Sequence, residues 1–175
     1  IRWHDRWWLT YSCSTFGKNT SAIGLMSRDR LNGAWKDHGR VVKSQAKRDE
    51  WNAIDSNIAI DDDDQPWMVW GSFWDGIQMA RLDTTMHIAK GEIPRTIARR
   101  YSPKNHNRME NPTSKYAGTN AIEAPFIMRH GGYYYLFVSW DYCCMGSKST
   151  YRVVVGRSKT VDGPYVDRDG VDMRE

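Results

Sequence analysis

Two carboxylates in this chain stand in settings that change their chemistry. Glu123 lies in Ala121-Ile122-Glu123-Ala124-Pro125, between apolar neighbours and a proline that bends the chain. A carboxyl held against apolar walls loses hydration in its charged form. Such a group is expected to keep its proton near neutrality and to pass it to a leaving oxygen. Asp55 lies in Asn52-Ala53-Ile54-Asp55-Ser56-Asn57, again among small and apolar residues. Two carboxylates framed in this way, in a chain rich in aromatic rings, point to glycoside chemistry. The competing reading makes both of them strand-end residues that cap turns.

The elements that must position them are β-strands. Ile1-Arg2-Trp3, a His4-Asp5 turn and Arg6 to Ser12 form an apolar-aromatic hairpin pattern. The pattern returns as Ile58 to Ile60, the Asp61 to Asp64 turn and Pro66 to Ser72. It returns again as Phe126 to Met128, the His130-Gly131-Gly132 turn and Tyr133 to Ser139. Turn-forming Asp or Gly between β-branched and aromatic runs is the signature of a hairpin. The closing serines Ser12, Ser72 and Ser139 lie 60 and 67 residues apart.

A further strand pattern follows each hairpin, at Ser21 to Ser27, Gly76 to Leu82 and Tyr151 to Ser158. The first and third copies also close alike, with Gly33-Ala34-Trp35 matching Gly163-Pro164-Tyr165. Four short antiparallel strands per unit, at a period above about 50 residues, read as blades of a β-propeller. Three blades are too few to close a ring, since propellers carry about four to eight. A β-sandwich would not account for a unit that recurs three times. No segment carries a long helical period, and Lys90 to Gly118, rich in Pro, Asn and charge, reads as a long loop or ragged strand.

At 175 residues the chain forms one domain, residues 1–175, with no second domain. Nine Trp and nine Tyr against four Phe is a bias towards rings with a polar handle, suited to sugars or a wet cleft. For most of them, packing between sheets is the simpler role. The net charge of +4 is spread over scattered basic residues, and the Asp61 to Asp64 run would repel phosphate. Nucleic acid is therefore not expected as a partner. No apolar stretch is long enough to span a bilayer and no signal peptide is present, so no membrane partner is expected either. The chain opens on Ile1, and it reads as a piece of something longer. Three cysteines without metal-ligand spacing indicate neither a disulfide framework nor a zinc site. For adjacent Cys143 and Cys144, reduced thiols are the expected state, with a vicinal disulfide as the alternative.

With the repeats and carboxylates in place, the chain resembles the endo-α-1,5-L-arabinanases of glycoside hydrolase family 43 over nearly all its length. The stretches that carry the resemblance are Ser14 to Gly24, Asn52-Ala53-Ile54-Asp55, Trp70-Gly71-Ser72-Phe73-Trp74 and Ala121 to Pro125, followed by His130 to Phe137, Asp141-Tyr142-Cys143-Cys144 and Val155 to Lys159. Their joint order and spacing make the signal strong. The resemblance implies an all-β, five-bladed propeller of which about three blades, two to four, are present. It also implies inverting hydrolysis of α-1,5-linked arabinan by three acidic residues.

Glu123 matches the general acid, and Asp55 matches the carboxylate that orients the acid and keeps it protonated by like-charge proximity. The third is a general base in a His-Asp-Pro setting, with no match here, since His4-Asp5 runs on into Arg6 within a hairpin turn. Inversion needs acid and base on opposite faces of the sugar, roughly 6.5–9.5 Å apart with a water between. The chain alone is therefore expected to be inactive. Phe16 is implied as a stacking platform for an arabinose ring, with Asn52, Ser72 and Trp74 flanking the channel as further substrate contacts.

Arabinan or arabino-oligosaccharide is the implied partner, and secretion the implied location. No metal site or cofactor is evident, although some members of the family hold a calcium through a histidine of a later blade. His4, His38, His87, His106 and His130 all read as turn or surface residues. The Asp61 to Asp64 run lacks the Gly and distal Glu of an EF-hand and reads as a solvated turn. Ser56 stands where Pro is common, which would loosen the turn that aims Asp55. Met145 stands where a basic residue is frequent, which would alter a subsite contact. The competing functions are a non-catalytic carbohydrate-binding propeller and an exo-acting arabinofuranosidase or β-xylosidase of the same superfamily.

Overall fold

The computed structural model describes residues 1–100 and 121–175. Most of the irregular segment expected between Lys90 and Gly118, His106 included, lies outside them. The described residues build three antiparallel sheets. The first runs β1 (Arg2–Trp3), β2 (Arg6–Cys13), β3 (Ala22–Arg28) and β4 (Lys36–Lys43). The second runs β5 (Asn57–Ile60), β6 (Pro66–Trp70), β7 (Ile77–Arg81) and β8 (Arg95–Ala98). The third runs β9 (Ile122–His130), β10 (Tyr133–Trp140) and β11 (Arg152–Ser158). The three hairpins read from the sequence are thus β1–β2, β5–β6 and β9–β10, in chain order.

Among the described residues, the third sheet has three strands where four per unit were expected. Val166 pairs with Arg157 only as an isolated bridge and then bridges Asp172. Pro164 has no N–H to give a ladder, and the Asp167 carboxylate folds the chain back by accepting from the Asp169 and Val171 amides. The segment between them is too short to extend the sheet.

The second sheet lies between the other two. Its β6 residues are apolar without interruption, Trp67-Met68-Val69-Trp70, because both of its faces are covered. Met68, Trp70, Ala80 and Leu82 pack with Trp3, Trp8, Ile23 and Leu25 of the first sheet. Val69, Ile77, Met79 and Ile97 pack with Ile122, Ile127, Leu136 and Val138 of the third. Each of the larger side chains, fully removed from water, contributes about 1.5–3 kcal/mol. Trp3, Trp8 and Trp70 are therefore core residues, as the plainer reading of the tryptophans had it.

The Asp61 to Asp64 turn fastens the sheets at the end of β5 remote from Asp55. Asp61 accepts from the Asp63 and Gln65 amides and from Trp67 Nε1. Asp64 reaches the first sheet, accepting from Trp3 Nε1 at 2.8 Å and pairing with His4 Nε2 at 2.6 Å. Asp62 reaches the third sheet through a two-point ion pair with Arg129, at 2.6 and 2.8 Å. Between sheets two and three, Asn57 Oδ1 accepts the amide of Ile127 at 3.0 Å, which lays β5 beside β9. Among the described residues no helix is long and apolar enough to cross a membrane.

Candidate active site

The three sheets meet around a cleft of about 520 Å³. It is lined by all six residues singled out from the sequence, Phe16, Asn52, Asp55, Ser72, Trp74 and Glu123. Asn52 and Asp55 come from the link between β4 and β5, Ser72 and Trp74 from the turn after β6, and Phe16 from the loop after β2.

Asp55 touches every sheet. Its amide donates to Ser12 Oγ of the first sheet at 3.2 Å. The preceding carbonyl, of Ile54, accepts the Gly71 amide at 3.0 Å beside the second. Its carboxylate accepts the amide of Ala124 from the third. Burial pushes the Asp55 carboxyl up to about 6, the neighbouring Glu123 adds to the rise, and the Ala124 amide opposes both. Ser56, expected to loosen this turn, instead donates to Thr10 Oγ1 at 2.8 Å and anchors it.

Glu123 is aimed by a β-bulge. Phe126 pairs with Phe137 and Glu123 with Ser139, so Ala124 and Pro125 together oppose only Val138. Regular pairing would set Ala124 opposite Ser139 and turn Glu123 to the other face. Pro125 fits because a bulge tolerates a missing amide, and Ala124 takes a left-handed φ of 53°. On the face thus chosen, Ser72 Oγ donates to Glu123 Oε2 at 2.9 Å and the Tyr151 hydroxyl donates to Oε1 at 2.9 Å. The one donor of the Ser72 hydroxyl is therefore directed at Glu123. All three closing serines of the repeated hairpins gather here: Ser12 accepts from the Asp55 amide, Ser72 donates to Glu123, and Ser139 stands opposite Glu123 in the strand pairing.

Phe16 stands 94% exposed at the rim of the cleft, as a stacking platform requires. Trp74 is 6% exposed, so it contributes a strip of wall and not an open ring face. Phe73 and Tyr142 face each other with ring centroids 6.2 Å apart. Beyond Tyr142 the wall holds a vicinal disulfide between Cys143 and Cys144, which corrects the expectation of two thiols. Cys144 adopts a φ of 66°, the left-handed turn within which the adjacent residues close their ring. Met145, expected to alter a subsite, is not among the lining residues and opens the short 3-10 turn Gly146–Lys148.

The sequence reading missed Asp141 and Tyr151. Asp141 lines the cleft and is held by Arg100 and Arg152, each at 3.2 Å. Both guanidiniums also lie over Trp140, 4.4 and 5.7 Å from its ring centre. Asp55, Phe73, Trp74, Ala124, Asp141 and Cys144 all have positive φ. Such conformations cost on the order of 1–3 kcal/mol each and gather where a site dictates them. Among the described residues, no group of three or more His, Cys, Asp or Glu converges to hold a metal.

Comparison with known proteins gives the same direction. Residues 1–174 match the model of the glycosyl hydrolases family 43. An extracellular exo-alpha-(1->5)-L-arabinofuranosidase of Cellvibrio japonicus is 47% identical over 96% of this chain and 48% of its own length. An extracellular endo-alpha-(1->5)-L-arabinanase of Bacillus subtilis is 41% identical over 99% of this chain and 49% of its own. The solved exo-1,5-alpha-L-arabinanase from a bovine ruminal metagenomic library is 52% identical, with a TM-score of 0.87, over 99% of this chain and 55% of that one. The chain spans about half the length of the relatives it matches.

Proposed function

The chain belongs to the glycosyl hydrolases family 43, and on that premise we propose that it is part of a secreted, five-bladed propeller that hydrolyses α-1,5-linked arabinan with inversion. The observation that carries this reading is the pair of carboxyls in one cleft. Asp55, its carboxyl pushed up to about 6 by burial and by Glu123, stands close enough to Glu123 for the two charges to interact. A site that must protonate a leaving oxygen needs a carboxyl so placed.

Glu123 is the general acid. Its proton passes to the glycosidic oxygen as the bond to the anomeric carbon breaks. A water attacks that carbon from the opposite face and gives its proton to a base. These residues hold no counterpart of the family's His-Asp-Pro base by motif, so the reaction is proposed for the longer polypeptide and not for this chain alone. Asp55 orients Glu123 and, when ionised, holds it protonated by its charge. Phe16 at the rim, with Asn52 and Trp74 in the walls, takes the sugar rings. Secretion is supported by relatives named as extracellular.

Chain scission within the polymer is the primary reading, as in the Bacillus subtilis relative. Removal of terminal units is the second, favoured by the higher identity to the exo-acting Cellvibrio japonicus relative. The products released early from linear arabinan decide between them.

In the full-length polypeptide, Glu123→Gln is expected to lower hydrolysis of linear arabinan by ~10²–10⁴-fold. Substrates with activated aryl leaving groups, which need little protonation, should be partly spared. Asp55→Asn removes the charge beside Glu123, so the basic limb of the pH–rate profile moves to lower pH while oligosaccharide binding survives. Near-parental arabinan hydrolysis by Glu123→Gln would defeat the assignment.

A further inference from the structure

The terminal torsion of a Glu side chain is broad and two-fold, so a carboxyl on a flexible stem does not aim a proton by itself. Both Glu123 oxygens are nevertheless occupied, Oε2 by Ser72 and Oε1 by Tyr151, each at 2.9 Å. Tyr151 immediately precedes β11 and sits two residues from Val153. Val153 pairs with Ser139, and Ser139 pairs with Glu123. Side chains two apart share a face, so three strands place Tyr151, Ser139 and Glu123 side by side.

The phenol is itself fixed. Ser139, 7% exposed, lies beside it on β10. The preceding Thr150 is tied to Tyr142 through both its amide and its hydroxyl, at 3.0 and 3.3 Å. The hydroxyl that reaches Glu123 is therefore presented from a turn that is itself tied down.

From this arrangement we infer that Tyr151 is a positioning residue for Glu123, fixing the plane of its carboxyl against the scissile oxygen together with Ser72. The inference rests on the reading of Glu123 as the proton donor. A reacting group displaced by about 1 Å can lose two orders of magnitude in rate. The carboxylate form of Glu123 also gains from two donated hydrogen bonds. Among the described residues, Asp55, ahead of β5, is a further titratable group turned towards Glu123 and Tyr151.

The test is Tyr151→Phe in the full-length polypeptide, which keeps the ring and removes the hydroxyl. The kcat on linear arabinan is expected to fall roughly ten- to a hundredfold, with KM changed less than about twofold. The basic limb of the pH–rate profile should move to higher pH, because the carboxylate has lost a donor. This is opposite in sign to the shift expected of Asp55→Asn, and a merely structural role for Tyr151 would not produce it. Aryl arabinofuranosides with good leaving groups should lose less than arabinan does. If Tyr151→Phe lowers the melting temperature, Ser72→Ala carries the test through the same limb shift. Parental kcat and an unmoved limb in both variants overturn the inference, while leaving Glu123 as acid intact. Undiminished hydrolysis by Glu123→Gln, by contrast, overturns the reading of the site itself.

Discussion

Asp55 gives up hydration to stand where three sheets meet, and its ionisation in the folded chain is correspondingly unfavourable. Burial, and then the neighbouring Glu123, push its carboxyl up to about 6 from an ordinary 3.8. One pKa unit corresponds to about 1.4 kcal/mol, so holding this charge at neutral pH costs on the order of 2–3 kcal/mol. The folded chain binds more protons than the unfolded one between about pH 4 and 6, so this contribution to stability improves as pH falls through that window. Asp55→Asn should therefore raise the melting temperature of the full-length polypeptide at pH 7 and leave it little changed at pH 4. A variant that melts lower at pH 7 would contradict the cost assigned to Asp55. Gain in stability with loss of activity is the usual mark of a residue kept for function. Asp55 and Glu123 were legible in the sequence because apolar residues flank each of them. Tyr151 was not, since a Tyr at the head of a β-branched run reads as ordinary strand, and its partner lies 28 residues away.

At the scale of elements, the hairpins were legible from alternation and turn residues, and so was the place of Asp61 to Asp64 as a turn. The reach of that turn was not legible, because Trp3, His4 and Arg129 are far from it in sequence. Asp64 is held below the ordinary carboxylate range by His4 and then by Trp3. Its contribution is thus present above about pH 4 and lost as pH falls through the lowered folded value. Asp64→Ala leaves the indole N–H of buried Trp3 without its acceptor, and its denaturation midpoint should fall clearly below that of Asp63→Ala. Equal midpoints would show that the turn does not fasten the first sheet. Pro125 inside a strand pattern was a readable signal of the bulge that aims Glu123. The missing fourth strand of the third sheet was not foreseen, because Tyr165-Val166 has strand composition and only its flanking turns keep it short.

For the molecule as a whole, the third sheet carries an apolar outer face. Phe126, Met128, Val153 and Val155 are exposed upon it, Val153 to 67%. A contiguous patch of this kind drives association, and the open edge of β11 can pair with another chain. The 175-residue chain on its own should self-associate at micromolar concentration. Phe126→Lys combined with Val155→Lys should shift it towards monomer in analytical ultracentrifugation. A monodisperse, cooperatively melting parent chain would rule this out. In the proposed ring, this face is covered by a further blade.

The bridge between Cys143 and Cys144 makes the quality of a preparation something that can be counted. Cys13 is the free cysteine of the three, so material folded in an oxidising compartment should present one thiol per chain to a colorimetric reagent under denaturing conditions. Material produced in a reducing cytosol, where such bridges are rarely kept, should present three. The two lots would share sequence and sheets while differing in the wall of the cleft beside Tyr142. In the proposed full-length polypeptide, arabinan turnover should differ between preparations in which this bridge is closed and open, and the choice of production host becomes part of its specification.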